Sequence, residues 1–137
     1  VMPDNVLVDT SVWIEYFQAS KRESHVFEHV TRLLKERRVV FTGIIAMELI
    51  RGARSEKELS VLESLFRSID KIVERGTTYY EAGKIGYGLA KKGLTIGTVD
   101  LLISHLAIEN DLSLYTQDQH FEIVAKSFPL RLYRIER

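Results

Sequence analysis

Val6, Leu7 and Val8 form an uninterrupted apolar run that ends at once in Asp9-Thr10-Ser11. Three consecutive apolar residues suit a strand buried on both faces, as in the middle of a parallel sheet. The polar triplet stops that strand and opens a helix through Val12-Trp13-Ile14-Glu15-Tyr16-Phe17. A carboxylate at the C-terminal tip of a central strand lies where open α/β sheets place their ligand crevice. The rest of the chain must then supply flanking strands, helices for both faces, and whatever else reaches that crevice.

Short apolar runs do alternate with helical patterns. After a polar connection over residues 18–23, Ser24 can cap a helix with Val26, Phe27, Val30, Leu33 and Leu34 at helical spacing. Val39-Val40-Phe41 reads as a buried strand, turned by Thr42-Gly43 into a helix that stops at Gly52. Ser55-Glu56-Lys57-Glu58 has the form of a capping box ahead of Leu59, Leu62, Leu65, Phe66 and Ile69. A further strand is expected at Ile72-Val73, and a second capping box at Thr78-Tyr79-Tyr80-Glu81, opening a helix to Lys92. Gly83, Gly86 and Gly88 weaken that helix by about 1 kcal/mol each relative to alanine and can admit a close helix neighbour. Thr98 is expected to cap the apolar helix Leu101–Ile108, followed by a strand over 112–116, a short helix holding Phe121, Ile123, Val124 and Ala125, and an alternating edge strand over 130–135. The alternation implies an α/β fold of three layers, α/β/α, around a mostly parallel sheet.

At 137 residues, 45% apolar and 28% charged, the chain suits one globular domain, taken as residues 2–137 with Val1 set aside. Nineteen basic residues balance nineteen acidic ones, so any surface for a polyanion must be local. Cysteine is absent, which removes disulfides, thiol catalysis and Cys-ligated zinc. No apolar run nears the roughly 18 residues of a membrane span, and no signal-peptide pattern precedes Asp4, so cytoplasmic residence is expected.

Four acids stand out. Asp9 and Asp118 each follow a strand, and taken alone each is an ordinary cap or turn residue. In one parallel sheet, however, both come to the same edge. Asp100 sits in a first helical turn, where a carboxylate is favourable, but among apolar neighbours Val99, Leu101, Leu102 and Ile103. Glu48 interrupts an almost wholly apolar helix, and either pairs with Arg51 or Arg54 or turns to the crevice. Four carboxylates converging without a Cys or His motif specify a hard cation, best Mg²⁺ or Mn²⁺, suited to in-line phosphoryl displacement. Thr10, Ser11 and Thr116 are placed to hydrogen-bond those carboxylates. Metal binding does not exclude the capping role of Asp9, since one oxygen can bind metal while the other accepts a backbone amide of the helix it opens.

The blocks VLVDTSVWIEYF, AMELIRGA, TIGTVDLLISHLA and LYTQDQHF resemble, in order and spacing, the four signature blocks of PIN-domain ribonucleases, and among these most nearly the VapC toxins of toxin–antitoxin pairs. The resemblance runs from Val6 to Tyr133. It implies that Asp9, Glu48, Asp100 and Asp118 are the metal-binding and catalytic quartet, with Thr10 or Ser11 and Thr116 as polar accessories. It also implies a homodimer, Mg²⁺/Mn²⁺-dependent endoribonuclease activity on transfer or ribosomal RNA, and neutralisation by a VapB-type antitoxin. A housekeeping PIN nuclease of RNA processing, or an inactive PIN-like binding module, is the alternative. His120 takes a position where many relatives carry an acid, which leaves its part in the site open.

Two unrelated functions compete on local pattern. His25-Val26-Phe27-Glu28-His29 fits the H-x-x-E-H form of a zinc-protease class, without a third ligand nearby. A phosphoacceptor module would need an aspartate closing the Val39–Phe41 strand, where Thr42-Gly43 stands. For contacts to RNA, Arg37, Arg38, Arg51, Arg54, Lys84, Lys91 and Lys92 are available, with Trp13, Tyr16 or Tyr87 for stacking. Each of these also has a plainer reading, as solvated helix face or core aromatic.

Overall fold

The computed structural model describes residues 4–134 except 19, 21 and 22. Part of the polar connection after the first helix and the end of the expected last strand, at Ile135, therefore lie outside the described residues. The order of elements is β1 (Val6–Val8), α1 (Thr10–Phe17), α2 (His25–Lys35), β2 (Val39–Thr42), α3 (Gly43–Arg51), α4 (Glu56–Ser68), β3 (Asp70–Ile72), α5 (Thr78–Ala90), α6 (Thr98–Glu109), β4 (Ser113–Tyr115), α7 (His120–Ser127) and β5 (Arg131–Leu132).

The five strands run parallel in the order β3-β2-β1-β4-β5, with helices on both faces, as the alternating pattern requires. β1 is central, paired Val6 to Val39 and Leu7 to Val40 on one side and Val6 to Ser113 through Val8 to Tyr115 on the other. Its three residues are inaccessible to solvent, in keeping with an unbroken apolar run. The chain winds outward from β1 through β2 to β3, then resumes on the other side with β4 and β5. The order therefore reverses between β1 and β4, and a crevice opens beyond their C-terminal ends.

Several local expectations hold. Ser24 and Thr42 accept hydrogen bonds from Phe27 N and Ile45 N at the starts of α2 and α3. Gly93, at φ 75°, ends the α5 segment. Others need correction. Ser55 does accept from Glu58 N, but the Glu58 carboxylate accepts from Arg54 N, one residue upstream of the box. Thr78 is the first residue of α5, not its cap; its hydroxyl accepts from Arg75 N and donates to Glu109 on α6. Gly97, with extended backbone, takes the cap position of α6 in place of Thr98. β3 begins at Asp70, since pairing of Asp70 and Lys71 with Val40 and Phe41 needs only backbone, and Val73 is left exposed. At the opposite edge, ordered pairing of β5 is confined to Arg131 and Leu132.

α5 and α6 pack antiparallel and make the largest helix–helix contact of the fold. A Cβ on Gly86 would lie 2.7 Å from Leu101 Cδ1, so this glycine is what lets the two helices close up. The pairing carries the start of α6, and with it Asp100, to the sheet edge where β1 and β4 end.

Candidate metal centre

Asp9 leaves β1 buried, and its Oδ2 accepts from Ser11 Oγ and from Thr116 Oγ1, each at 2.8 Å. Both hydroxyls are themselves oriented by backbone amides. Gln117 N donates to Ser11 Oγ at 3.1 Å, and Asp118 N donates to Thr116 Oγ1 at 3.0 Å. Two relays, amide to hydroxyl to carboxylate, thus tie the loop after β4 to the acid after β1. The expected backbone-amide bond to Asp9 is not made: Asp9 holds the cap position of α1 without a side-chain cap bond. Its Oδ2 is saturated by hydroxyls, and no described hydrogen bond reaches Oδ1.

Glu48 projects from α3 half-buried, and its Oε1 accepts from Thr10 Oγ1 at 2.8 Å. The alternative ion pair with Arg51 or Arg54 is absent among the described residues, so the glutamate faces the crevice side of α1. Asp100 is half-buried in the first turn of α6. Burial holds its pKa above the ordinary aspartate value, the carboxylates of Asp118 and Asp9 and, less strongly, Glu48 push it the same way, and His120 opposes them. Asp100 therefore feels the other three acids, which reach it from the end of β1, from α3 and from the loop after β4.

Asp118 meets His120 twice: its Oδ1 accepts from His120 N at 2.9 Å and lies 3.0 Å from His120 Nδ1. Among the described residues, one group offers metal-ligand atoms within 4.8 Å of one another, formed by Asp100, Asp118 and His120. His120 thus joins the cluster. The signal for it in the sequence is the two-residue step from Asp118, which the loop geometry turns into a shared position. Asp9 and Glu48 stand outside that tight group, steadied by hydroxyls of α1 and, for Asp9, also of the loop after β4.

No lysine or arginine pairs with any of the four acids among the described residues. The donor set is carboxylate oxygen with one imidazole. Such a set fits a hard divalent cation. The rival patterns find other uses for their residues. His25 is exposed beside Glu28, whereas His29 Nδ1 lies 3.3 Å from the Tyr133 hydroxyl and 3.0 Å from Arg32. β2 ends in Thr42, whose hydroxyl caps α3. Of the aromatic residues proposed to meet RNA, Trp13 is wholly core and Tyr16 stacks on Phe27, while Tyr87 is exposed.

Residues 6–127 match the family model described as PIN domain. Over 125 residues the chain is 31% identical to ribonuclease VapC11 of Mycobacterium tuberculosis strain H37Rv, covering 88% of this chain and 92% of that protein. With ribonuclease VapC1 of Methanocaldococcus jannaschii it shares 33% identity over 130 residues, covering 93% and 86%. Its fold is similar to that in the crystal structure of DNA-bound VapBC from Salmonella typhimurium, with TM-score 0.75, 26% identity and coverage of 95% and 97%. VapBC-1 from nontypeable Haemophilus influenzae gives TM-score 0.75 at 25% identity, over 93% and 96%.

Proposed function

This chain belongs to the PIN domain family, and from that premise we propose that it is a metal-dependent endoribonuclease, the toxin of a type II toxin–antitoxin pair neutralised by a VapB-type antitoxin. The VapC relatives named as ribonucleases and the VapBC complexes that share its fold support the reading. The observation that carries it is the set of acids that, among the described residues, have no lysine or arginine partner, at the point where the strand order reverses.

Asp9, Glu48, Asp100 and Asp118, with His120 beside them, would hold Mg²⁺ or Mn²⁺. A cation bound there supplies Lewis-acid polarisation of the phosphodiester and lowers the pKa of water toward neutrality. Asp9 Oδ1 is the oxygen left open for this task, because Ser11 and Thr116 engage Oδ2 and fix the plane of the carboxylate. Thr10 does the same for one oxygen of Glu48. His120 holds Asp118 through Oδ1 and adds positive charge near the acids when protonated. No side-chain nucleophile is needed; with water rather than the RNA's own 2′-hydroxyl attacking phosphorus and the 3′-oxygen leaving, the products would carry a 5′-phosphate and a 3′-hydroxyl.

The working unit is taken as one domain over residues 2–137, acting in the cytoplasm as a homodimer on transfer or ribosomal RNA. No helix among the described residues is long and apolar enough to cross a membrane. The decisive experiment incubates the purified chain with total cellular RNA and Mg²⁺ or Mn²⁺ and maps new 5′ ends. Wild type should cut at defined positions, and Asp100→Asn should lose at least about 100-fold in rate, the scale of removing one preorganised charged group. Equal cutting by the two proteins would overturn the site.

A further inference from the structure

Between the loop after β4, α7 and β5 lies a cavity of about 240 Å³ that the metal centre does not use. It begins at Thr116 and Asp118, two residues of that centre, so its occupant lies beside whatever the metal would hold. Its lining is fixed before any ligand arrives, as in most binding sites. Tyr133 N donates to Leu114 O at 2.8 Å, and the Tyr133 ring packs on that of buried Tyr115, 4.9 Å between centres. The Tyr133 hydroxyl accepts from Arg32 at 3.5 Å and lies 3.3 Å from His29 Nδ1. Glu122 N donates to Gln119 O at 3.0 Å, where α7 leaves the loop. Arg134 Nη1 and Nη2 then close onto Glu122 Oε1 and Oε2 at 2.8 and 3.2 Å, which ties the segment after β5 to α7.

Charge and chemistry narrow the occupant. Leu132 and Tyr133, both half-buried, give the cavity an apolar side. The bond to Arg134 holds Glu122 below the ordinary glutamate pKa, so both partners are ionised and their charges cancel. Away from Asp118 the lining is therefore neutral, beside a centre suited to a cation and a phosphate. A second phosphate gains little there, whereas a flat uncharged group with a polar edge fits. The size agrees, since about 240 Å³ falls below the roughly 300–1,000 Å³ of sites that enclose a drug-sized ligand. The unspent hydrogen-bonding groups are chiefly acceptors. Gln117 turns its Nε2 to the Glu15 carboxylate, 3.0 Å away, which leaves its Oε1 over. Each Glu122 oxygen keeps a lone pair after taking one bond from Arg134. Gln119 adds an exposed amide without a partner among the described residues.

We propose that this cavity holds the base of a nucleotide adjoining the scissile phosphate, and that Gln117, Gln119 and Glu122 select a base bearing an exocyclic amino group. The inference rests on the nuclease reading and names a specificity site for it. Adenine, cytosine and guanine each carry an amino donor for the unspent acceptors, whereas uracil sets a carbonyl oxygen in its place. Against an ionised carboxylate that oxygen opposes one acceptor to another, and a site whose polar groups go unpaired rejects the wrong base. A second copy of the chain is the poorer occupant, because a side chain seated beside Asp118 would close the acids to the substrate.

The test titrates the full chain, in Mg²⁺, with AMP, GMP, CMP and UMP in turn and follows backbone amide resonances, with ribose 5-phosphate marking what the sugar phosphate does alone. The amides of Gln119, Glu122 and Tyr133 should move with the three amino-bearing nucleotides, and UMP should bind about 10-fold more weakly, the scale of one good base contact. Glu122→Gln, which turns one acceptor into a donor, should bring UMP level with CMP. Gln119→Ala should narrow the same gap, with the rest of the amide spectrum showing the fold intact. Amides that move no further than with ribose 5-phosphate, or UMP bound as tightly as the others, overturn the pocket. So does movement of these amides on dilution of the chain without response to nucleotide, which makes a second copy the occupant. Cutting of total cellular RNA separates the pocket from the reading beneath it. Wild type should avoid uridine about 10-fold at one fixed position beside the cut, and Glu122→Gln should admit it. Cutting without such a position removes the pocket alone. Absence of cutting by wild type removes the nuclease reading, while the titration still decides the pocket.

Discussion

At the scale of single residues, the site is a balance between groups that are satisfied and groups that are not. Asp9 is steadied through one oxygen by two hydroxyls, and Glu48 by one. Asp100 has no such partner among the described residues, and burial together with its acidic neighbours makes its ionised form costly. The metal-free fold therefore holds the Asp100 proton more tightly than the unfolded chain does. The sign follows: this group penalises the fold least below the unfolded aspartate pKa, and the penalty grows as pH rises through the elevated folded value. Asp100→Asn should accordingly raise the stability of the metal-free protein at neutral pH by about 0.5–2 kcal/mol, with the gain vanishing near pH 3, as measured by urea denaturation across pH. A neutral-pH loss of stability would mean that the carboxylate makes a favourable contact of its own. Divalent metal should show the opposite pH trend, binding more tightly as Asp100 gives up its proton.

At the scale of elements, the α5–α6 pair sets where Asp100 stands. Its far end is pinned by Glu109, whose side chain is only 6% exposed and which accepts from Thr78 and lies 3.4 Å from His105 Nε2. Glu109→Ala leaves a buried hydroxyl and an imidazole without their partner, and should cost about 2–4 kcal/mol in chemical denaturation. The near end depends on Gly86. Alanine at exposed Gly83 should stabilise by about 1 kcal/mol through helix propensity. At Gly86 the same methyl group must displace Leu101, which offsets that gain by about 1–3 kcal/mol of overpacking. Thermal unfolding of the two variants should rank Gly83→Ala clearly above Gly86→Ala. Only part of this was legible beforehand. Three glycines in one helix suggested a close neighbour, yet Gly86 alone has its space taken by α6, Gly88 meets Phe128 and Gly83 meets nothing. Likewise Thr78 and Thr98 look like caps by spacing. The Thr78 hydroxyl is drawn instead to a distant carboxylate, and Thr98 is itself the first residue of α6, which leaves the cap position to Gly97.

At the scale of the whole molecule, four acids from separate segments meet because the order of the sheet reverses between β1 and β4. A cation bound there favours the folded chain only, so Mn²⁺ at 100 times its Kd should add about 2.7 kcal/mol of stability. The rise in melting temperature should disappear in Asp100→Asn and on adding chelator. What the sequence by itself determined is the parallel α/β architecture and which acids come near one another, Asp9, Glu48 and Asp118 all acting on Asp100. Buried strands must be apolar on both faces, and a glutamate or aspartate set among apolar residues must find something to bind. What only the tertiary structure decided is how those acids are held. The hydroxyls of Ser11 and Thr116 displace the expected backbone amide at Asp9, and His120 enters the cluster through Asp118. These outcomes are choices among hydrogen-bond partners of similar local strength. They are settled by which partner the packing of distant segments brings within 3 Å, and spacing along the chain carries no record of that.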